Sequence, residues 1–348
     1  MRSRPLRVGV IGAGYFAQFH LQAWQRMANA ALVAVCDQTP AKLDKVAMTY
    51  AHAERFADVD RMLSDAALDL VDIVTPPKTH AQLVTKVSAA GLAAVCQKPL
   101  APSYDEAVAI VETAEAANTL LVVHENIRFA PWHREMARLV AAGRLGPLHN
   151  VAMRLRPGDG QGPRAYLDRQ PYFQQMPRFL IHETAIHWID TFRYLAGEIT
   201  GVFARLRKLN PAIAGEDAGI VMFAFEHDAH GVFDGNRLND HETDNTRRTM
   251  GEMWLEGANG VLRLDGRARL WWKAHGEAEV QHHYQWHDRA FAGDAVYALQ
   301  HHVVTHLRAG TPIENSARAY LRNLDIQEAV YQSHQQGRWI PTPCTPAR

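Results

Sequence analysis

Two rhythms of hydrophobic and polar residues divide this chain near residue 126. Before that point, short apolar runs alternate with segments whose apolar residues recur at helical spacing. Continuous apolar runs are typical of parallel strands that are buried on both faces of a sheet. Regular alternation of such strands with helices, over short connections, predicts an α/β domain with a doubly wound parallel sheet.

The predicted elements of this first part follow a regular order. Gly91 is placed to end one helix, and Ser103 with Glu106 forms a capping box that predicts the start of the next. In chain order we predict a strand at 8–11, a helix at 15–27, a strand at 31–36, a helix at 40–50, a strand at 68–74, a helix at 79–90, a strand at 93–96, a helix at 103–117 and a strand at 120–123.

After residue 126 the pattern changes to consecutive strand-like runs joined by Gly or Asn turns, which indicates a mostly antiparallel sheet. Gly197 is placed as the C-cap of a helix. The predicted elements are a helix at 132–142, a strand at 149–156, a Pro- and Gly-rich loop at 157–177, a helix at 182–196, strands at 219–226, 231–238, 252–256 and 261–264, and helices at 294–309 and 317–335.

A chain of 348 residues is too long for one typical core, and the two rhythms predict two domains. We predict residues 1–126 as an N-terminal Rossmann domain. Residues 127–348 are predicted as a C-terminal α+β domain built on a large, open, mostly antiparallel sheet. An open sheet with one apolar face is a ready oligomer interface, so we expect a homodimer or a homotetramer.

The composition excludes several classes of partner. The 37 Lys and Arg residues balance the 37 Asp and Glu residues, so no net field draws the chain to nucleic acid or to a membrane surface. No signal-like N-terminus and no apolar run of membrane length is present, and we expect a cytoplasmic protein. Cys36, Cys96 and Cys344 are interpreted as free thiols, buried in the first two cases. The 19 histidines show no convincing metal spacing, so no metal site is expected.

The first candidate functional residues follow the first predicted strand. Gly12, Gly14 and Ala17 stand at the G-x-G-x-x-G/A spacing of a dinucleotide fingerprint. Gly12 permits a tight turn, Gly14 lets the backbone approach a pyrophosphate, and Ala17 lets the helix pack closely on the strand. A helix that starts near Tyr15 would point its N-terminal amides at the anion.

A carboxylate stands at the expected distance downstream. Asp37 lies twenty residues past Ala17 and directly after the second apolar run. Such a carboxylate can accept hydrogen bonds from both hydroxyls of an adenosine ribose, and it repels a 2′-phosphate. We therefore expect NAD rather than NADP as the cofactor. The alternative is an ordinary turn aspartate after a strand.

Two further segments follow predicted strands of the same sheet. Thr75-Pro76-Pro77-Lys78-Thr79-His80 comes after the third strand and Gln97-Lys98-Pro99 after the fourth. Ligands of open α/β sheets bind at the carboxyl ends of the strands. Lys98 would lie where the nicotinamide end of the cofactor is expected, and Pro99 is a candidate for a cis bond. The alternatives are a proline-stopped strand with a helix start and a solvated lysine.

The third segment lies in the second part of the chain. On a helix, Glu183 and His187 are four residues apart and Asp190 is three residues further on, so all three would share one face. A carboxylate one turn from an imidazole can orient it and tune its acid–base behaviour. The alternative is a solvated polar face with a chance pair.

Together these segments resemble the Gfo/Idh/MocA family of nicotinamide-dependent sugar and polyol oxidoreductases. The family typically shows a G-x-G-x-x-G/A start, a T-P-P-x-x-H segment, an E-K-P segment and a later D-x-G-x-H-x-x-D helix. Here they stand at residues 12–17, 75–80, 97–99 and 183–190. The segment Gly215-Glu216-Asp217 also looks like the family.

The resemblance implies roles for individual residues. In sugar oxidation His187 would take the hydroxyl proton, Lys98 would hydrogen-bond the same oxygen, and Glu183 corresponds to the catalytic carboxylate. The implied cofactor site comprises Gly12, Ala13, Gly14, Tyr15, Phe16, Asp37, Thr75, Pro76, His80, Gln97, Lys98 and Asn126. The implied substrate site comprises Asn126, Arg128 and His187, and Arg154, Arg156, Tyr166 and Tyr172 are weaker candidates for contacts with substrate hydroxyls, by position only.

The chain departs from the family pattern at three positions. Gln97 replaces Glu, Glu183 replaces Asp, and Ala185 replaces Gly. Residues 97–103 and 123–129 look similar to an apiose dehydrogenase-like subgroup, which implies a pentose or a related carbohydrate as the substrate. The alternative function is a catalytically silent sensor that binds dinucleotide or sugar on the same fold.

Overall fold

The computed structural model describes residues 4–342, which form two compact units. The first unit comprises residues up to 126 together with residues 296–322, and the second comprises 127–295 together with the residues from 323 onward. Cys344 lies outside the described residues.

The first unit is a six-stranded, fully parallel sheet with helical crossovers. Its strand order, β3-β2-β1-β4-β5-β6, is that of a Rossmann fold and confirms the predicted fold class. Its elements are β1 (Leu6–Ile11), α1 (Ala17–Gln25), β2 (Ala30–Cys36), α2 (Pro40–Thr49), β3 (Glu54–Phe56), α3 (Val59–Asp65), β4 (Leu70–Ile73), a 3₁₀ turn (Pro77–Thr79), α4 (His80–Ala89), β5 (Ala93–Gln97), α5 (Tyr104–Ala116) and β6 (Leu121–His124).

The sequence patterns in this unit produce the strand burial and the helix start that they predict. All four residues of β4 and of β6 are buried, as the continuous apolar runs require. The Ser103 hydroxyl accepts a hydrogen bond from the Glu106 backbone N–H and donates one to the Glu106 carboxylate, so Ser103 is the N-cap of α5 as predicted. The sequence does not predict β3 and α3, because β3 has three residues and only Phe56 is buried.

The second unit is built on a nine-stranded sheet of order β14-β13-β12-β11-β7-β10-β9-β8-β15, antiparallel except for the β7–β10 pair. Its elements are a 3₁₀ turn (Ile127–Phe129), α6 (Pro131–Ala141), β7 (Leu148–Leu155), a 3₁₀ turn (Pro171–Gln175), a π-helix (Leu180–Ala185), α7 (Ile186–Ala196), β8 (Ile199–Arg207), β9 (Ala218–Phe225), β10 (His230–Asn236), β11 (Gly251–Gly257), β12 (Gly260–Leu264), β13 (Leu270–Ala274), β14 (Val280–His282) and β15 (Ile340–Pro341).

Two helices complete the described chain, α8 (Ala295–Ala309) and α9 (Ala317–Gln336). Both helices fall in the predicted second domain, whereas residues 296–322 group with the first unit. Residues 296–322 pack against elements of the first unit that are distant in the sequence, and the sequence pattern around them does not indicate these contacts. In α8, Gln300 donates a hydrogen bond to Asp72 of β4, and Arg318 of α9 pairs with Glu115 of α5.

One predicted helix has a different form. The segment predicted as a helix at 182–196 begins as a π-helix, and only Ile186–Ala196 is α-helical. Gly197 ends α7 at φ +90, as its predicted role as a C-cap requires. A π-helix widens each turn, so residues four apart across this junction do not stack as they would on a regular α-helix.

Candidate active site

The fingerprint loop joins β1 to α1 and contains two glycines with different roles. Gly12 has φ +103, and a Cβ on it would lie 2.3 Å from the carbonyl oxygen of Val74, so only glycine fits. Gly14 is exposed, and a Cβ on it would meet no protein atom within 4 Å. The fold therefore requires Gly12, whereas at Gly14 the missing side chain leaves open space beside the backbone.

Asp37 is bound directly to this loop. Its carboxylate accepts hydrogen bonds from the backbone N–H of Ala13 at 2.9 Å and of Thr39 at 2.9 Å, and it pairs with Lys42 at 3.1 Å. Burial opposes ionisation, but these hydrogen bonds and the Lys42 charge outweigh it and lower the pKa of Asp37. The carboxylate is therefore ionised and fixed beside the fingerprint.

The loop also presents two aromatic residues between Gly14 and α1. Tyr15 is exposed and Phe16 is half-buried, and both rings lie next to the ring of Phe19. Helix α1 begins one residue later, at Ala17.

The Thr75–His80 segment packs against the fingerprint. The methyl group of Thr75 and the backbone of Val74 are the nearest atoms to a Cβ built on Gly12, so the two predicted segments are adjacent. Thr75 is half-buried and Pro76 is exposed. The Thr79 hydroxyl donates a hydrogen bond to the Thr75 hydroxyl at 2.7 Å, which fixes the turn.

His80 has a different position from the one its motif suggests. Its ring is fully buried, with Nδ1 3.0 Å from the carbonyl oxygen of Leu100 and Nε2 2.8 Å from that of Thr75. Burial lowers the pKa of His80, although its hydrogen bonds to backbone carbonyls oppose that shift. Both nitrogens face protein carbonyls, so His80 ties the turn after β4 to the turn after β5.

The turn after β5 carries the candidate lysine. Gln97 is buried, Lys98 is half-buried, and the Lys98–Pro99 peptide bond is cis, as the sequence suggested. The backbone N–H of Lys98 donates a hydrogen bond to Gln97 Oε1 at 2.8 Å. Asn126, after β6, is 2 % exposed, and its buried Nδ2 finds no hydrogen-bond acceptor among residues 4–342.

These features of the first unit suit a dinucleotide. Gly14 leaves room for the close approach of a pyrophosphate, and the Asp37 carboxylate follows the second strand as ribose recognition requires. The buried amide of Asn126 offers a donor that the described protein atoms do not satisfy. The residues present therefore fit the predicted cofactor.

In the second unit the candidate acid–base residues lie at the junction of the π-helix and α7. Glu183, His187 and Asp190 are 9 %, 7 % and 0 % exposed, so the interpretation as a solvated polar face is wrong. The π-helix is anchored by Glu216, whose Oε1 accepts hydrogen bonds from the backbone N–H groups of Phe179 and Ile181. This explains the Gly215–Asp217 segment, which the sequence marked without giving it a role.

Asp190 does not share the surroundings of the other two residues. Its carboxylate accepts two hydrogen bonds from Arg128, both at 2.6 Å, and one from Asn323 at 2.7 Å. The Arg128 guanidinium also stacks over the ring of Tyr194. Arg128, predicted to contact substrate, thus forms a buried two-point ion pair that holds α7. Arg156 is similarly engaged, because it donates a hydrogen bond to Asp234 at 2.6 Å.

A charged cluster around Glu183 was not found from the sequence. Asp159 pairs with Arg237 at 2.7 Å and with Arg169 at 3.0 Å, and Arg237 also donates a hydrogen bond to Thr184 of the π-helix. Burial opposes the charge of Arg237, but attraction to Asp159, with a smaller contribution from Glu183, raises the pKa of the guanidinium. Asp159 and Arg237 are 78 residues apart, so no local pattern marks the pair.

Tyr172 lies at the edge of this cluster. It is 48 % exposed, and its hydroxyl accepts a hydrogen bond from Gln170 at 3.2 Å. Although the side chain is partly exposed, desolvation of the Tyr172 hydroxyl and the charge of Glu183 raise its pKa, so the hydroxyl remains a protonated donor near that carboxylate. Tyr166, a weaker candidate, instead packs in an apolar cluster with Phe173 and Phe179.

Comparison with known proteins decides the family. Residues 6–125 match the model of an oxidoreductase family with an NAD-binding Rossmann fold, and residues 133–263 match the GFO/IDH/MocA C-terminal domain. The chain belongs to the Gfo/Idh/MocA family of oxidoreductases. It is an NAD(P)-dependent dehydrogenase that acts on CH–OH groups.

Relatives of this family member include two D-apiose dehydrogenases. The protein from Rhizobium rhizogenes is 28% identical over 98% of this chain and 98% of its own length. The one from Paraburkholderia graminis is 30% identical over 95% of this chain and 88% of its own length. A solved oxidoreductase from Agrobacterium radiobacter, in complex with NAD+, L-tartaric acid and magnesium, is 27% identical with a TM-score of 0.88 and covers 97% of this chain and 98% of its own.

Two negative findings concern residues 4–342. No group of three or more His, Cys, Asp or Glu side chains is arranged to hold a metal ion in this part of the chain. Within the same residues, no helix is both long and apolar enough to cross a membrane.

Proposed function

We propose that this family member uses NAD to oxidise a hydroxyl group of a sugar, polyol or related carbohydrate, or to reduce the corresponding carbonyl. The observation that carries the proposal is the arrangement of Gly12, Gly14 and Asp37. One glycine is required by the fold, the other leaves space, and the carboxylate is fixed beside them. This arrangement suits the pyrophosphate and ribose of a dinucleotide.

NAD rather than NADP is supported by the charge at Asp37. The carboxylate is held ionised by Ala13, Thr39 and Lys42, and a 2′-phosphate would be repelled by it. Lys42 is the nearby cation that could favour a phosphate, but it is paired with Asp37.

The proposed chemistry divides between two side chains. The bound nicotinamide would supply the hydride acceptor. We propose that His187 takes the hydroxyl proton and that the Lys98 ammonium donates a hydrogen bond to the same substrate oxygen, which stabilises developing alkoxide charge. The family resemblance of both segments supports these roles.

Glu183 is proposed to act through its charge. It lies close enough to Tyr172 and Arg237 to affect the pKa of each, so its carboxylate belongs to a polar cluster rather than to an apolar core. We propose that it orients His187 or a substrate hydroxyl. Glutamate in place of the family's aspartate extends that carboxylate by one methylene.

A pentose or a related carbohydrate is the proposed substrate class. The two D-apiose dehydrogenases support it, and L-tartaric acid in the Agrobacterium protein extends the class to sugar acids. We propose that Asn126 and Tyr172 contact the substrate, because both present polar hydrogens. Arg128 and Arg156 are proposed to shape the site through the ion pairs described above.

We propose that a second copy of this chain covers the outer face of the nine-stranded sheet, giving a homodimer or a homotetramer. Neighbouring strands align an apolar band across this face, formed by Phe203, Met222, Val232, Ala152 and Trp254. Met222 is 45 % and Val232 37 % exposed, which is unusual for a sheet centre. Met222→Glu should lower the mass measured by light scattering, whereas Met48→Glu, on α2, should not. A native mass in the Met222 variant would contradict this interface.

Cys36 and Cys96 are free and buried, which is typical of a reducing compartment. We therefore propose a cytoplasmic location.

The absorbance of NADH tests the proposed function. Purified protein is mixed with NAD or NADP and with D-apiose, other aldoses, inositols or sugar acids. We expect NADH to form with NAD and one carbohydrate class. If tryptophan fluorescence detects binding of the dinucleotide but no substrate is turned over, the proposed dehydrogenase activity is contradicted. That result would favour the alternative function, a catalytically silent sensor.

A further inference from the structure

A chain of buried hydrogen bonds leads away from Lys98 into the first unit. Gln97 Oε1 accepts from the Lys98 backbone N–H at 2.8 Å, and Gln97 Nε2 lies 3.0 Å from Nε2 of His20. His20 Nδ1 lies 2.7 Å from Oδ2 of Asp72. His20 and Asp72 are completely buried, so water cannot substitute for either of these two residues.

The direction of each hydrogen bond follows from the chemistry of the groups. A backbone N–H can only donate, so the Gln97 atom facing Lys98 must be the amide oxygen, and the atom facing His20 must be the NH₂ group. The NH₂ group donates, so His20 Nε2 must accept with a lone pair. The remaining His20 proton is on Nδ1 and is donated to Asp72.

The far end of the chain is an ionised carboxylate. Burial opposes ionisation of Asp72, but its interactions with His20, His124 and Trp24 lower the pKa of this carboxyl. The indole N–H of Trp24 donates to Oδ2 at 2.7 Å and Gln300 donates at 3.2 Å, both beside the His20 proton. Asp72 therefore acts as an acceptor that fixes the tautomer of His20.

The other titratable groups around His20 leave this pattern intact. The His124 ring of β6 stacks on the His20 ring with centroids 4.1 Å apart. On β5, burial and the charge of Asp72 raise the pKa of the Cys96 thiol well above its usual value. Cys96 thus stays protonated, and Asp72 is the fixed charge of the network.

We propose that Gln97, His20 and Asp72 are positioning residues that hold the Lys98 turn through one imidazole tautomer, in which Nε2 accepts from Gln97 and Nδ1 donates to Asp72. This inference rests on the proposed function, because the position of the Lys98 turn affects catalysis only if Lys98 donates a hydrogen bond to the substrate oxygen. An amide at position 97 is essential to it. A carboxylate there would need a proton from His20 Nε2 and would make the network titratable.

The first test does not need a substrate. In Gln97→Glu an imidazolium would lie between two carboxylates, so the folded variant binds one more proton than the wild type. Because the folded variant holds a proton that the unfolded chain releases, its stability relative to wild type should decrease as pH rises above the ordinary histidine pKa of about 6.5. Thermal unfolding across this range measures the difference.

Two control variants identify the source of that slope. Gln97→Met also removes the hydrogen bonds but adds no charge, so its difference from wild type should not vary with pH. Adding His20→Asn to Gln97→Glu keeps a donor for Asp72 and removes the titrating ring, so the slope should disappear. A flat difference for Gln97→Glu, or an equal slope with His20→Asn, would overturn the proposal.

The second test uses turnover with NAD and a carbohydrate substrate. Gln97→Met should lower kcat about tenfold and leave KM for both substrates within about twofold, because only the Lys98 turn is misplaced. The kcat of Gln97→Glu should show an added ionisation that is absent from wild type. Wild-type kcat in both variants at every pH would overturn the proposal. If no substrate is turned over, the proposed function fails, while the unfolding slopes still decide the tautomer.

Discussion

The carboxylate of Asp37 accepts a hydrogen bond from the backbone N–H of Ala13 at 2.9 Å. The fingerprint loop and the carboxylate after β2 are therefore parts of one structure, although 24 residues separate them. Because Ala13 stands between the two fingerprint glycines, any movement of Asp37 also moves the backbone at the proposed pyrophosphate position.

Replacement of Asp37 by Ser should weaken the preference for NAD. The variant lacks the charge that repels a 2′-phosphate, and Lys42 becomes available to attract one. We expect the ratio of kcat/KM for NAD to that for NADP to fall by about tenfold or more. Asp44→Ser, an exposed change on α2, is the control. An unchanged ratio in the Asp37 variant would show that this carboxylate does not select the cofactor.

The two fingerprint glycines should respond differently to alanine. Gly12→Ala places a Cβ 2.3 Å from a carbonyl oxygen at a positive φ, and we expect it to cost at least about 2 kcal/mol of unfolding free energy. Gly14→Ala meets no protein atom, so its stability should stay within about 0.5 kcal/mol of wild type. Its affinity for NADH should nevertheless fall about tenfold or more. Urea unfolding measures the effect on stability, and NADH fluorescence measures the effect on affinity. Wild-type NADH affinity in Gly14→Ala would show that the pyrophosphate does not bind beside Gly14.

Arg128→Met should act on stability before it acts on substrate binding. It leaves the buried Asp190 carboxylate without its two strongest donors, which typically costs about 3 kcal/mol or more. The double variant Arg128→Met with Asp190→Leu removes the stranded charge and should recover part of that loss. A stable single variant whose only defect is a raised KM would instead identify Arg128 as a substrate contact.

Acid should destabilise the second unit partly through His133. Burial lowers the pKa of His133 to about 4, so the unfolded chain binds this proton before the folded chain does. Stability should therefore decrease as pH falls from about 6.5 towards 4, by about 3 kcal/mol for this group. His133→Asn should remove that part of the slope, whereas exposed His52→Asn should leave it. Equal slopes in all three proteins would contradict the assignment.

The sequence predicted the features that depend on neighbouring residues. Continuous apolar runs, the N-cap at Ser103 and the glycine requirement at Gly12 are local, and the structure contains all three. The π-helix is not local, because it is anchored by Glu216 at its first turn and an i, i+4 spacing looks the same for an α-helix.

The polar partners of the site residues could not be predicted from the sequence either. Asp190 was expected beside Glu183 and His187, but its partner Arg128 lies 62 residues away. The Asp159–Arg237 pair and the return of residues 296–322 to the first unit have no local signature either. Pairings of this kind are set by the tertiary fold, whereas residue spacing reports only on single elements.

The measurement that tests the account most directly compares turnover and NADH binding in wild type and Lys98→Ala. With NAD and the best carbohydrate of the panel, we predict a loss in kcat of about a hundredfold or more, with NADH affinity within about threefold of wild type. Lys45→Ala, on exposed α2, should behave as wild type in both assays. If Lys98→Ala forms NADH at the wild-type rate, Lys98 does not act on the substrate oxygen and the proposed mechanism is wrong.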